Sequence, residues 1–586
     1  MKRKTNRSVI EKSFFALLPM QIIMITVTSI NSIIDGVIAS NLVSAAALAA
    51  IALFLPVLRL LDTVNAIFLG GTQILCGRYV GKNEMANANA VFTTDCVFMF
   101  LFGLIATVCC FLFGNPIASL FVRDAFLRRA LRDYIYGYAF GIIPMMFIPQ
   151  LTAFLQLERQ ENRTYVGMAL MIVLNIALDV LFVSVLHMGM FGLGLATTVS
   201  NLAFLMVLLS YYFFKDSSFH FVRGFHKNEL KNIIYVGFPG AINQLGQTIR
   251  SVLLNMIMLK YVGNDGISAF AAVYSFGCVY WAVSGGVSNA VRVLSSIYVG
   301  EEDRAGLHTI LKTALIKGTG LVCLTAAVCM LCAPLFTGIF YGPEAGIVYH
   351  MTLWGFLLFP LTMPFSCICC VFSNYYQCLN RMGIVNTLTF VDGLLGVILF
   401  SCILAPGFGM NGVFSAHIAS GVLTLLVILL YTVLFWKRFP KSLSDLLVLE
   451  PGFGVKKEDR MDLQIGSMDE VVNLSSDIID FSRNHTIDER RSVIAGLCIE
   501  EMAGNIVRHG FDGRKEYCID VRVVYKDGSL LIRLKDNCRA FNPREVQSLY
   551  EPKDFTRNIG LRIVSQMAAD MSYNNCLGIN VLTITI

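Results

Sequence analysis

The chain is short of charge: Asp, Glu, Lys and Arg make up only 15% of its 586 residues, against 56% hydrophobic. Together with a mean hydropathy of +0.65, this excludes an ordinary soluble enzyme. Paired cysteine spacing is missing as well. Seventeen cysteines are scattered through apolar runs, as at Cys109, Cys110, Cys367, Cys369 and Cys370, without the spacing of a zinc site or of a secreted disulfide framework. They read as small buried hydrophobes. No basic patch interleaved with aromatics occurs, so the net charge of +6 gives no reason to expect nucleic acid as a partner. A GxxxxGK[ST] loop is also absent, which argues against a primary ATP-driven pump. The basic start MKRKTNRSVIEK leads into an apolar run too long for a signal peptide and lacking a convincing cleavage site, so it is expected to stay attached.

Long hydrophobic runs are what the chain has. Twelve of them, at 14–39, 45–70, 90–113, 134–156, 165–187, 192–214, 233–262, 267–294, 310–336, 348–378, 384–405 and 412–436, are each long enough to cross about 30 Å of hydrocarbon. Charge returns after Glu450, with roughly 28% charged residues beyond it and about 11% before. Basic residues cluster in alternate connections, which the positive-inside rule assigns to the cytoplasm. Both termini and the tail are then cytoplasmic, in a multi-pass protein of the cell membrane, the inner membrane of a bacterium. The arginine-rich segment 122–134 dissents and reads as an amphipathic helix in the interface. Two stretches recur: GGTQILCGRYVGKNEMANANAVF resembles GGVSNAVRVLSSIYVGEEDRAGLHTIL, and ENRTYVGMALMIVLNIALDVLF resembles LNRMGIVNTLTFVDGLLGVILF, both offset by about 215–218 residues, the mark of an internal repeat. The expected organisation is a six-span lobe (1–214), an inter-lobe linker (215–231), a second six-span lobe (232–436), a linker (437–460) and a soluble domain (461–586). Two such lobes form the architecture of alternating-access transporters.

Asp35 stands alone in an apolar helical run. A charge at mid-bilayer costs at least a few kcal/mol and usually faces a protein interior or a water-filled path. Asn31 and Asp35 share one helix face at i and i+4, and Asn175 and Asp179 repeat that spacing in the fifth span. The pairs could hold sodium or a proton, or serve as interhelical hydrogen bonds. The seventh run offers Asn243, Gln244, Gln247, Arg250 and Asn255 but no acid, and Asp392 is the remaining candidate in the second lobe. Arg59, Asp62, Asp95, Arg250 and Arg292 read as span-end or packing charges. The Phe, Met and Tyr side chains could line a promiscuous cavity or simply pack.

Past residue 460 the pattern mixes amphipathic helices with alternating strands, including a hairpin with its turn at Asp527–Gly528 and a final strand NVLTITI. That is an α+β sandwich. Glu501, Asn505 and His509 fall at i, i+4 and i+8, one stripe on a helix. An acid can orient or deprotonate water, and an Asn oxygen can complete a magnesium shell.

Two resemblances follow from the motifs. An acid in the first span followed by a small-residue stretch (IDGVIASNLVSAAALAAIALFLP), the GRYVGKNE end of the second span and LNIALD in the fifth resemble the MATE (multidrug and toxic compound extrusion) transporters over 14–436. The resemblance implies an all-α bundle of twelve transmembrane helices that exports drugs or other small organic compounds in exchange for Na+ or H+. It implies coupling at Asp35 and Asp179, with Asn175 and Asn31 in support. In the tail, DNCRAFNP (536–543), NIGLRIVSQMA (558–568) and GINVLTITI (578–586) resemble the ATP-binding domain of histidine kinases, gyrases and anti-sigma-factor serine kinases. This implies Mg2+-ATP held by Asn505 (magnesium), Asp536 (adenine amino group) and Gly560 with Leu561 at the lid, with Glu501 as base or water-orienting residue and His509 nearby. Cys538, Ala540 and Asn558 stand where that family has glycines, and a stiffer lid favours binding over turnover. The implied protein is a cation-coupled antiporter whose tail binds nucleotide and regulates it, with small organic substrates, membrane lipid and a cytoplasmic regulatory protein as partners. The alternative is a signalling protein whose tail acts as an anti-sigma-type serine kinase while the bundle senses ligand.

Overall fold

A computed structural model describes the backbone of residues 7–38, 45–213, 217–224, 226–456, 458–511, 517, 519–526, 528–539, 541–543, 562, 564 and 566–586; side chains at 7–8, 28–33, 35–37, 45–48 and 278 are also outside the description. The first part is helical: α1 (Arg7–Ile38), α2 (Ala45–Lys82), α3 (Met85–Phe121), α4 (Ala125–Ala139), α5 (Ile142–Leu157), α6 (Glu161–Asp179) and α7 (Gly189–Leu209). A second helical part follows: α8 (Lys227–Tyr261), α9 (Asn264–Ser275), α10 (Gly277–Gly300), α11 (Arg304–Thr313), α12 (Thr319–Leu331), α13 (Ala333–Phe340), α14 (Ile347–Leu358), α15 (Met363–Cys378), α16 (Met382–Phe390) and α17 (Gly396–Trp436).

Among the described residues, eight helices are long and apolar enough to cross a membrane. Two pairs bent by 48°, α4 with α5 and α9 with α10, raise the number to ten. Helix α8 is not among them, because Asn243, Gln244, Gln247 and Arg250 interrupt its apolar character. The run Met382–Trp436 registers as a single span, yet Gly409 breaks it with φ +56°, a conformation that glycine adopts without Cβ strain. The arginine-rich segment expected on the interface is α4, N-capped by Asp124, which accepts from the Leu127 amide at 2.8 Å. Its Leu131, Tyr134, Ile135 and Tyr138 are buried, so one face packs into the bundle instead of resting on lipid.

The two parts close on each other where α2 meets α8 and α10, at the end that carries the tail. Backbones touch there because glycines face them. A methyl group at Gly71 would overlap the Ile233 carbonyl, and one at Gly237 the Ile67 carbonyl; Gly81 and Gly300 meet Ile297 and Arg78 in the same way. Side chains tie the seam further. Arg78 Nε donates to the Cys378 carbonyl (2.9 Å), Arg292 Nε to Gln73 Oε1 (2.7 Å) and Asn289 Nδ2 to Gln21 Oε1 (3.1 Å). Arg292 is thus a packing charge, as expected. Gly237→Val is expected to destabilise the chain by about 1–3 kcal/mol through overpacking against backbone that cannot yield, read as a lower Tm in detergent. Gly338→Ala, with nothing within 4 Å of the added carbon, should leave Tm in place.

Beyond α17 the chain is strapped down. Tyr375 and Tyr376 hydroxyls donate to the Leu447 and Leu446 carbonyls, each at 3.1 Å, and Arg438 pairs with Asp445 at 2.8 Å beside the short α18 (Leu443–Leu446). The tail then adds β1 (Arg460–Ile465), α19 (Met468–Asn484), α20 (Glu489–Asn505), β2 (Ile519–Lys526), β3 (Ser529–Asp536), β4 (Asp570–Cys576) and β5 (Ile579–Thr585). All pairings are antiparallel, in the order β1-β2-β3-β5-β4. Alternation along the strands sends Ile519, Val521 and Val523 of β2 and Leu530, Ile532 and Leu534 of β3 toward Val471, Leu474, Ile478 and Ile499 of the two helices. Strand β1 falls at the seam between the expected linker and domain, and β4 is a further strand the sequence pattern did not announce.

Candidate functional site

Helix α6 buries one stripe, Thr164, Gly167, Met168, Met171, Asn175 and Asp179. At Asp179, roughly 27 Å along the axis from Glu161 at 1.5 Å per residue, α geometry gives way to a π-helical turn over Val180–Val185. Such turns break the i→i−4 ladder and recur at functional sites. Asn175 and Asp179 are both fully buried on one face. Neither Oδ1 nor Nδ2 of Asn175 has a hydrogen-bond partner among the described residues, a costly state unless a ligand or water completes it. Asn31 and Asp35 fall within α1, but their side chains lie outside the described residues.

A second buried acid lies inside α3. Asp95 is completely buried, the packing rather than the span-end alternative; its Oδ1 accepts from Thr72 Oγ1 at 3.1 Å, and its Oδ2 has no hydrogen-bond partner among the described residues. Asp95 in NAVFTTDC and its partner Thr72 in GGTQILC gave no periodic signal, because both runs read as apolar. Arg59 and Asp62 form a loose i,i+3 pair at 4.0 Å with substantial exposure, unlike packing charges. In the second part, Asp392 sits in another π-helical turn, Val391–Leu395, on a cavity of about 300 Å³ that Asn243, Gln247, Arg250, Trp281 and His417 also line. A guanidinium in the same cavity disfavours a bare cation there.

In the tail, Asp536 ends β3 and is buried. Its Oδ1 accepts from the Cys538 amide (2.9 Å) and from Asn580 Nδ2 (2.7 Å), while Tyr573 donates to Asn580 Oδ1 at 2.6 Å. These donors hold the carboxylate against the burial that raises its pKa. Glu501 and Asn505 are half-buried on the last turns of α20, an acid and an amide oxygen of the kind that suits magnesium. The stripe does not continue regularly to His509: α20 stops at Asn505, and Ile506–Gly510 form a π-helical turn that shifts His509 off the i+8 position to an exposed site. That turn still meets the Asp536 loop, since a Cβ on Gly510 would lie 3.1 Å from Cys538. Gly560 and Leu561 lie outside the described residues.

The MatE family model matches the chain twice, over residues 19–181 and 239–401. The chain belongs to the MATE family. A second match, to the histidine kinase-like ATPase domain, covers residues 468–586. Curated relatives include the probable multidrug resistance protein YoeA of Bacillus subtilis, 24% identical over 384 residues (61% of this chain, 80% of the relative), and the multidrug export protein MepA of Staphylococcus saprophyticus, 22% identical over 420 residues (68% and 88%). The helical part superposes on a crystal structure of MATE in complex with MaL6 (TM-score 0.67, 21% identity, 72% of this chain, 95% of that one). It also superposes on an outward-facing MATE family transporter of the MOP superfamily (0.66, 21%, 72% and 94%). This MATE protein is accordingly a multi-pass cell-membrane protein carrying a histidine-kinase-like ATPase domain at its C-terminal end.

Asp520 is a tail residue that sequence reasoning passed over. It is buried in β2, neither carboxylate oxygen has a hydrogen-bond partner among the described residues, and burial pushes its pKa up to about 7, with Lys535 and Arg522 opposing and Asp462 and Asp303 reinforcing. A folded-state pKa above the unfolded value favours the protonated folded form. Stability is therefore lost as pH rises toward about 7 and levels off above it. Thermal unfolding of the full chain between about pH 5 and pH 8 should show that decline, and Asp520→Asn should flatten it. An unchanged slope in the variant would remove Asp520 from this role.

Proposed function

We propose that this MATE protein exports drugs or other small organic compounds in exchange for Na+ or H+, with its ATPase-like domain binding Mg2+-ATP and regulating the exchange. The buried Asn175–Asp179 pair carries the coupling half of this reading. It sets a carboxyl beside an amide, that of Asn175, whose oxygen and nitrogen have no hydrogen-bond partner among the described residues, at a π-helical turn, a set of hard oxygens that suits sodium or takes up a proton. Asp35 and Asn31 supply the matching pair from α1. Asp392 is left out of coupling, because it shares its cavity with Arg250.

Twelve spans in two six-helix lobes are the arrangement we infer. The ten apolar spans are joined by α8, and the run Met382–Trp436 counts as two on either side of Gly409. The lobes are residues 1–214 and 232–436, joined by 215–231, with a linker at 437–460 and the nucleotide domain at 461–586. Both termini and that domain are cytoplasmic, on the side where basic connections cluster. With the lobes closed on this side, Asp179 faces the outer half of the membrane.

In the tail, Asp536 accepts the adenine amino group and Asn505 holds magnesium. Glu501 orients water or a hydroxyl, with Gly560 and Leu561 at the phosphate lid, where a helix N-terminus favours anions, and His509 beside them. Bound nucleotide supplies a phosphate group and its metal; the chain supplies the adenine acceptor and the magnesium ligand. A domain held against the transporter favours regulation in cis over a kinase that acts on a separate partner. Efflux of a fluorescent organic cation from cells expressing the full chain tests the reading: accumulation should fall relative to empty cells, and equal accumulation would refute export.

A further inference from the structure

The outward face of the tail sheet is not solvent-exposed polar filler. Strand alternation that points apolar side chains of β2 and β3 at the helices points Asp520, Arg522, Lys526, Arg533 and Lys535 the other way, and this face meets the acidic turn that ends α10, in YVGEED (298–303). Glu301 takes Lys535 Nζ at 2.6 Å and Arg533 Nη1 at 3.7 Å. Asp303 takes Arg522 Nη2 at 2.7 Å, and Glu302 takes Lys526 Nζ at 3.0 Å. Lys535 also stands over the Tyr298 ring, 4.5 Å from its centroid. Glu301 and Asp303 are 4% and 3% exposed, so these are desolvated pairs, not surface ones, and separating them leaves uncompensated charge. Burial alone would raise the pKa of Asp303; Arg522 outweighs it and holds the carboxyl below its ordinary value.

The other end of the sheet stands on the first half. Asn83, in the repeat-equivalent turn YVGKNE (79–84), donates to Ser572. Asn574 reaches Met85 Sδ at 3.6 Å, and the Leu577 amide donates to the Leu157 carbonyl at 2.8 Å. Asn83 and Glu302 occupy the same place in the two turns, and both have positive φ, +65° and +52°. One sheet therefore bridges the matching corners of both halves, directly over the seam where Gly81 meets Ile297 and Gly300 meets Arg78. Between its two footings lies the Asp536–Asn580 hydrogen bond. Asp536 follows Lys535, which grips the second half, and Asn580 follows the Leu577–Gly578 turn, which rests on the first.

We propose that the sheet of the ATPase-like domain is a staple across the two halves of the transporter that holds their tail-side ends together, and that nucleotide binding loosens it. The release rests on the nucleotide reading above, because an adenine amino group at Asp536 would bind the carboxylate that holds Asn580 between the two footings. The staple itself rests only on the contacts. Separation of the tail-side ends, which alternating access requires, cannot proceed while both footings hold.

Two measurements on the full chain test this. A carbodiimide joins Lys526 to Glu302 as an amide when the pair is in contact, and mass spectrometry of the native protein in membranes should find that bond without nucleotide and at least about fivefold less of it with Mg-ADP, the lower end of ordinary coupling. In transport assays without nucleotide, Glu301→Lys and Lys535→Glu should each raise the turnover rate, and the double variant should return it to the unmodified rate. A merely structural contact would lower transport in the single variants. Rates unchanged or lowered in both, or no cross-link at all, would overturn the staple. Nucleotide that binds without changing the cross-link would overturn the release and leave the staple standing. Failure of Mg-ADP to bind would instead refute the nucleotide reading, while the charge-swap result would still decide the staple.

Discussion

Asp179→Asn is expected to reduce ion-driven export to the background of vesicles without the protein, while the chain remains folded. Asparagine keeps nearly the same volume at a site with no exposure, so packing survives, and the loss falls on the one property that changes, the ability to carry negative charge or a titrating proton. Asn175→Ala should cost less, because it removes a neutral ligand. It also removes two buried polar atoms that lack partners among the described residues, so Tm should hold, where a structural hydrogen-bond role would lower it. Export and Tm measured together separate these cases: coupling residues lose export at constant Tm.

The second large effect is in the tail. Asp536→Ala should weaken nucleotide binding by about 1.5–3 kcal/mol, the worth of a hydrogen bond to a charged group, or roughly 10- to 150-fold in Kd. Asn580 Nδ2 would also lose its shortest acceptor, keeping only the Cys538 and Arg539 carbonyls at 3.2 and 3.4 Å, so Asp536→Asn, which keeps an oxygen for Asn580, is the companion variant. Titration of the full chain in detergent with a fluorescent ATP analogue reads both. Full affinity in Asp536→Asn with loss only in Asp536→Ala would mean that the site needs an acceptor there but not a charge.

Much of this architecture was visible in the amino-acid order. The twofold repeat was, because YVGKNE and YVGEED keep a turn whose φ > 0 residues sit at matching places. The antiparallel hairpin β2–β3 was, because Val521, Val523, Ile532 and Leu534 alternate with charge. The order of residues hid other features for definite reasons. Helix α8 crosses the bundle with a polar stripe that faces the second-half cavity, so its mean hydropathy understates it. Asp95 disappears in a run of small and apolar neighbours, since a single acid has no period. His509 slipped from its stripe because a π-helical turn adds a residue that an i+4 count does not anticipate. The cations of β2 and β3 looked like a solvated face, because the acids that pair with them are more than two hundred residues away, in the turn after α10. Pattern reading reports the face of an element; it does not report what covers that face.

Reconstitution decides the central claim. The purified full chain in sealed vesicles would be loaded with an organic cation, and a sodium gradient and a proton gradient imposed separately, with Asp179→Asn carried in parallel. One gradient should drive movement of the organic cation against its own concentration difference, and that drive should vanish in the variant. Equal movement with both gradients collapsed, or undiminished gradient-driven movement in Asp179→Asn, would contradict coupling through the first half.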